Sequence, residues 1–264
     1  MPRSSFDSIT TDAISAVVEA QTVEATWSVL LDAMAEFGFD RLLYGFTRLH
    51  TRNGLGPKND FLVLSNHSDA YLEGFLGQER YLNAPMLAWA RENAGAATWS
   101  WISENRNRLS EQQKEVLAFN EAHGVTAGVT IAFKDAVRRN KGAIALTARE
   151  SLSQRDVDEV WEKCGHELNA LTNVIHLKIT SLPWPWQKRR LSGRQREVLE
   201  WVGDGKTTAE IAMIMGLKPA TVEKHLKKAR EALNVATTAQ AVMKASLNNQ
   251  IYVVPDQSVK TPAR

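Results

Sequence analysis

The chain has 264 residues, of which 44% are apolar and 23% charged, a balance that supports a packed core and excludes bulk disorder. No run approaches the roughly 20 apolar residues that a membrane-spanning helix needs, and the opening MPRSSFDSITTDA lacks the apolar segment of a secretory signal. The single cysteine, Cys164, excludes an intramolecular disulfide and a cysteine-based zinc cluster, so a cytoplasmic protein with no metal and no cofactor is expected. The net charge of +2 is unevenly spread: residues 1–187 hold 18 Lys/Arg against 23 Asp/Glu, whereas residues 188–254 hold 12 against 6. A basic C-terminal quarter on an acidic body suggests a polyanion-binding module.

In chain order, Val23, Trp27, Leu30, Leu31, Met34 and Phe37 recur at helical spacing, with Gly38 placed as a stop. Residues 42–49 and 60–64 read as strands. Residues 69–77 read as a short helix with Tyr71 and Phe75 on one side, and Pro85 suits the first turn of another, ending near Arg91. Ser110 and Gln113 form a capping-box pattern for a helix reaching His123, where Gly124 ends it. Strands at 128–134 and 142–148 follow, separated by a polar turn. Ser153 and Asp156 open the longest helix, on which Val157, Trp161, Cys164, Leu168, Leu171 and Ile175 make an apolar stripe. One sheet with helices before and after it predicts an α/β/α sandwich over residues 1–179.

Residues 180–190, TSLPWPWQKRR, carry two prolines that deny a helix its continuation, and they read as a linker. Residues 255–264 read as a frayed tail. Between them, residues 191–254 are helical throughout, so the whole chain is of α+β class. Ser192 with Gln195 and Thr207 with Glu210 are capping boxes for two short helices, the second stopped by Gly216. Pro219 opens a third helix to Leu233, and a fourth spans about 237–247. Two helices joined by Gly216-Leu217-Lys218 give a helix-turn-helix. On the third helix Val222, Leu226, Ala229 and Leu233 form one face, while Ala220, Lys224, Lys227 and Glu231 lie opposite, flanked by Thr221 and Lys228. A helix anchored by one face and offering small and cationic residues on the other suits the major groove of double-stranded DNA.

The run LSGRQREVLEWVGDGKTTAEIA, followed by TVEKHLKKAREALNV and TAQAV, resembles the LuxR-type helix-turn-helix nearly end to end, with Gln195 where that family usually has Glu. The resemblance implies a homodimer on a two-fold symmetric promoter site. It implies Glu223, Lys224 and Lys227 at base edges, with Lys206, Thr207, Thr208, Lys218, Thr221, His225 and Lys228 on phosphates or supporting the docked helix. Over roughly residues 15–178 the order of elements resembles the autoinducer-binding domain of quorum-sensing LuxR-type regulators, with SNHSDAYLEGF, APM, ATWS and HGVTAGVTIA as landmarks. That family grips an acyl-homoserine lactone with a Trp, a Tyr, an Asp before Pro and a second Trp. Those positions fall on Tyr71, Phe75, Ala84 and Trp99.

Only Trp99 is unchanged; Phe75 has no hydroxyl, Ala84 has no acceptor, and the phenol of Tyr71 can still donate. Asn83 is one position from the expected acceptor, but the register set by Pro85 turns it away. His67, Tyr44, Trp89, Trp101 and Thr147 complete the expected pocket lining, with Thr147 as a hydroxyl partner. Two missing hydrogen-bond partners, at roughly 1–3 kcal/mol each, weigh against an ordinary lactone receptor. The expected signal is therefore an acyl-homoserine lactone or a related small amphiphile, the alternative being a solo regulator with a non-lactone ligand or none. An enzyme fused to a DNA module finds no support in motifs: the six histidines form no H-x-x-x-H or H-x-H pair, and no G-x-S-x-G elbow occurs.

Overall fold

The computed structural model describes residues 5–51, 54–183 and 191–252. Residues 184–190 of the expected linker and the expected tail at 255–264 lie outside the described residues. Two compact units form, one from residues up to Ala20 together with Glu24–Lys178, the other from Gln21–Val23 together with the residues from Ile179 on.

The first unit opens with α1 (Ser5–Glu19) and α2 (Val23–Glu36), then β1 (Phe39–Thr47) and β2 (Leu62–Ser65). Next come α3 (Asp69–Leu72), α4 (Pro85–Glu92), β3 (Gly95–Thr98), α5 (Ser100–Glu104) and α6 (Glu111–Ala122). It closes with β4 (Gly128–Ala132), β5 (Lys141–Ala148) and the 28-residue α7 (Gln154–Ser181). Gly38 makes the turn out of α2 at φ +90°, a conformation that costs a side-chain-bearing residue. The Ser110–Gln113 capping box is formed in both directions, and Ser153 and Asp156 bond each other's backbone N–H at the start of α7.

All strand pairs are antiparallel, in the order β2-β1-β5-β4-β3. Leu43 pairs with Ala145 and Thr130 with Ala145, which fixes the two faces of the sheet. On one face Tyr44, Phe46, Ile144, Leu146, Val129 and Ile131 are buried, and His176 of α7 packs against Tyr44 and Phe46. On the other, Leu43 and Ala145 join a cluster with Tyr71, Phe75, Tyr81, Met86, Trp99, Val116 and Val125 from the elements α3 to α6 and their connections. Helices on both sides of one sheet are the expected sandwich.

The structure differs from the sequence expectation in several places: β1 is Phe39–Thr47 rather than 42–49, β3 is not among the expected strands, and α7 runs to Ser181, into the expected linker. β2 starts at Leu62 rather than residue 60, because Lys58–Asp60 form a 3-10 turn. The helix expected over 69–77 is α-helical only to Leu72 and then widens into a π turn, Glu73–Gly77, which holds Phe75 buried beside Tyr71.

In the second unit, α8 (Gly193–Gly203), α9 (Thr208–Met215), α10 (Pro219–Leu233) and α11 (Thr238–Leu247) enclose one core. Val222, Leu226, Ala229 and Leu233 of α10 are its buried face, at most 4% exposed. Gly216 ends α9 in the left-handed region at φ +64°, and Leu217 N–H then donates to the Ala212 carbonyl, which turns the chain into Pro219 at the first position of α10.

Candidate functional site

Between the sheet and the helices α3 to α6 lies a cavity of about 720 Å³, the size that accepts a small organic ligand. Its floor comes from strand alternation. Leu43 and Gly45 of β1, Ala143, Ala145 and Thr147 of β5, and Thr130 of β4 face it, whereas their larger neighbours Tyr44, Ile144 and Leu146 lie on the α7 side. A Cβ built on Gly45 meets nothing within 4 Å. Small residues on one face of two central strands therefore create the space. Leu55, Phe61, Leu76, Tyr81, Met86, Leu87, Ile102 and Val125 enclose it with apolar surface.

The four positions taken from the family resemblance all border this cavity. Tyr71 is stacked between His67, at 4.5 Å, and Phe75, at 5.3 Å. Its hydroxyl donates to Asn120 Oδ1 at 3.1 Å, so the proton expected for a ligand is held inside the protein. Burial also pushes that phenol's pKa well up, keeping it protonated. Trp99 Nε1–H likewise donates to Thr130 Oγ1 at 2.9 Å. Phe75 and Ala84 contribute only apolar surface, and Asn83 is exposed.

Thr147 differs from all of these. It is 1% exposed and borders the cavity, and its Oγ1 has no hydrogen-bond partner among the described residues. An unpaired buried hydroxyl costs roughly 1–3 kcal/mol, and an acceptor on a ligand recovers it. His67 also lines the cavity; burial, and after it the Arg41 guanidinium, lower its pKa to about 4 against the opposing pull of Asp40. The imidazole is therefore neutral near pH 7.

Of the remaining expected lining residues, Tyr44 borders the cavity whereas Trp89 and Trp101 do not. Tyr44 borders the cavity along the β1 backbone, but its side chain faces α7, where the hydroxyl meets His176 Nδ1 at 2.8 Å. The even-numbered parity of Tyr44 on β1, opposite to that of Leu43 and Gly45, is the reason. Trp89 and Trp101 pack half-buried on the outside of the cavity's aromatic cluster and do not line it. The residues that reasoning from sequence missed are the small ones, Gly45, Ala143 and Ala145, together with Arg91 and Lys141. A small–large alternation at residues 143–146 was the available signal for the floor.

In the second unit, most of the residues expected at DNA are at the surface. Glu223, Lys224, Lys227 and Lys228 are exposed along α10, with Thr221 and His225 half-buried beside them. Lys206, Thr207 and Lys218 are exposed, the first two before α9 and Lys218 in the turn after it. Thr207 caps α9 and exchanges bonds with Glu210 in a complete capping box. Thr208 Oγ1 donates to Glu223 Oε1 at 2.8 Å. Glu223, expected at a base edge, thus joins α10 to α9 in this structure, while Lys224 and Lys227 stay exposed on the same helix.

Residues 22–179 match the autoinducer binding domain family, and residues 189–245 match the bacterial regulatory proteins of the luxR family. The chain belongs to the LuxR family of quorum-sensing regulators. Among LuxR-type relatives, the transcriptional activator AnoR of Acinetobacter nosocomialis is 23% identical over 240 residues, spanning 89% of this chain and 95% of that protein. The quorum-sensing regulator RhlR of Pseudomonas aeruginosa is 25% identical over 228 residues, 84% of this chain and 88% of RhlR. Escherichia coli SdiA shares the LuxR fold with TM-score 0.51 and 21% identity, over 94% of this chain and 100% of that one. The N-acylhomoserine lactone-dependent CepR2 of Burkholderia cenocepacia matches with TM-score 0.53 and 17% identity, over 67% of this chain and 96% of its own.

Proposed function

We propose that this chain is a cytoplasmic, non-enzymatic transcription regulator that binds a two-fold symmetric DNA site as a homodimer. It is controlled by a small amphiphile in the sheet-side cavity, with Thr147 as the anchoring donor. Lys224 and Lys227 read base edges, for which bonding to guanine O6 and N7 is the favoured pairing. Lys206, Thr207, Lys218, Thr221, His225 and Lys228 serve phosphates or support the docked helix, and Thr208 holds Glu223 in place. A ligand that fills the cavity completes the core of the sensor and stabilises one dimer, in which the two α10 helices sit about one DNA turn or a multiple apart.

The single observation that carries the ligand reading is the buried, unpartnered Thr147 hydroxyl on a roomy apolar cavity. A non-lactone ligand is the favoured form, because Tyr71 and Trp99 spend their donors on Asn120 and Thr130 and positions 75 and 84 carry Phe and Ala. A cavity of about 720 Å³ speaks against a collapsed, ligand-independent sensor. The relatives are named as transcriptional activators or regulators, which supports a non-catalytic role. The test is native mass spectrometry of freshly purified protein, then DNA binding by the stripped protein with and without its extract. A retained small molecule that changes DNA affinity is the expected result. Protein that carries nothing, and whose DNA affinity no cell extract alters, contradicts the reading.

A further inference from the structure

Besides Thr147, the cavity lining carries the cations Arg91 and Lys141. β5 runs from Lys141 to Thr147 along the floor, about 20 Å at ~3.3 Å per residue, with both residues on the cavity face. At the Lys141 end, Arg91 from the last turn of α4 also lines the cavity. Lys141 Nζ donates to the carbonyl of Asn93, the residue that caps α4, at 3.0 Å, so the ammonium is held beside that helix end. The two cations lie close enough to His50 for both to depress its pKa, after burial, which is the larger cause.

Arg91 Nε is buried and has no hydrogen-bond partner among the described residues. Of the other charged residues on the lining, Lys58 is paired with Glu79 at 3.2 Å. Glu121 sits on α6 beside Asn120, the Tyr71 partner, toward the far end. Asp135, whose charge Lys141 also feels, lies off the lining and meets His176 at 3.4 Å. Among the described residues, no carboxylate on the lining is paired with Arg91 or Lys141. A buried guanidinium nitrogen without a partner is costly, and a carboxylate accepting from it is among the strongest hydrogen bonds a ligand can make.

We propose that the Arg91–Lys141 end of the cavity binds an anionic group, so that the ligand is an acyl-chain carboxylate rather than a neutral lactone. The inference rests on the reading of the cavity as a ligand site. An apolar chain over Gly45, Ala143 and Ala145 then runs from the carboxylate toward Thr147, where a carbonyl or hydroxyl acceptor on the chain takes the orphaned proton.

The experiment compares dodecanoate, its methyl ester and N-dodecanoyl-homoserine lactone on the full-length protein by isothermal titration calorimetry. Wild type is expected to bind dodecanoate at least about tenfold more tightly than the methyl ester, the scale of one charge-assisted hydrogen bond. Arg91→Gln and Lys141→Met are expected to reduce that ratio to about twofold or less. Arg91→Lys, which keeps the charge, is expected to retain most of it. Equal binding of acid and ester by wild type, or a ratio unmoved in both charge-removing variants, overturns the anionic site and leaves the ligand cavity standing. Absence of binding by all three compounds overturns both.

Discussion

Thr147 and Tyr71 are two buried hydroxyls on one cavity with opposite fates. Tyr71 donates to Asn120, whereas Thr147 finds no partner among the described residues. Replacing Thr147 by the near-isosteric Val removes the desolvated group, so the ligand-free protein gains stability, by up to roughly 1–3 kcal/mol. The same change removes the ligand's anchor, so affinity for the retained ligand falls about tenfold. Denaturant titration and calorimetry on one variant read both signs; a loss of stability without a loss of affinity contradicts the assignment. His67 supplies a pH dependence. Its folded pKa, about 4, lies below the unfolded value near 6.5. Between those values the unfolded chain binds the extra proton, so stability is full above about pH 6.5 and declines as pH falls toward about 4. His67→Phe is expected to flatten that part of a Tm-against-pH profile; an unchanged slope contradicts it.

Strands β1 and β4 each place a glycine on the cavity face, and the two answer differently to a side chain. A Cβ on Gly45 enters open space, whereas one on Gly128 meets the Leu146 carbonyl oxygen and, at 3.0 Å, the Trp99 ring. Gly45→Val is expected to keep or raise Tm, because a β-branched residue suits a strand, and to abolish ligand binding by filling the cavity. Gly128→Ala is expected to cost roughly 1–3 kcal/mol through overpacking. Thermal melts with and without ligand separate the two; a destabilised Gly45→Val would place atoms where the cavity is drawn.

Elements with periodic apolar faces or capping boxes are legible in the sequence, among them α2, α6, α7 and all four helices of the second unit. β3, the edge strand Gly-Ala-Ala-Thr, is not, since four small residues carry no alternation. The π turn at Glu73–Gly77 reads as ordinary helix, because the spacing of Tyr71 and Phe75 fits both. At the site, the expected Tyr71, Phe75, Ala84, Trp99, His67, Thr147 and Tyr44 border the cavity, whereas Trp89 and Trp101 do not; the Tyr44 hydroxyl turns to His176, a direction that depends on strand parity rather than residue type. Arg91 and Lys141 are invisible at that level, because nothing in a lone charge reveals that its neighbours leave it unanswered.

At the scale of the whole molecule, the acidic sensor and the basic helical unit divide the labour of sensing and binding. Residues 188–254, with 12 Lys/Arg against 6 Asp/Glu, carry the charge that a polyanion meets. Their exposed cations on α10 sit opposite a fully buried stripe, so the helix can dock without disturbing its own core. The most direct test is fluorescence anisotropy on a DNA site selected from genomic fragments by the full-length protein, measured across salt concentrations. The account predicts a log–log salt slope of several units, from counterion release at several phosphates per dimer. It predicts that Lys227→Ala weakens binding to the selected site by about 1–3 kcal/mol while binding to scrambled DNA changes far less. Affinity that ignores salt, or equal losses on selected and scrambled DNA in both Lys224→Ala and Lys227→Ala, would contradict α10 as the reading helix.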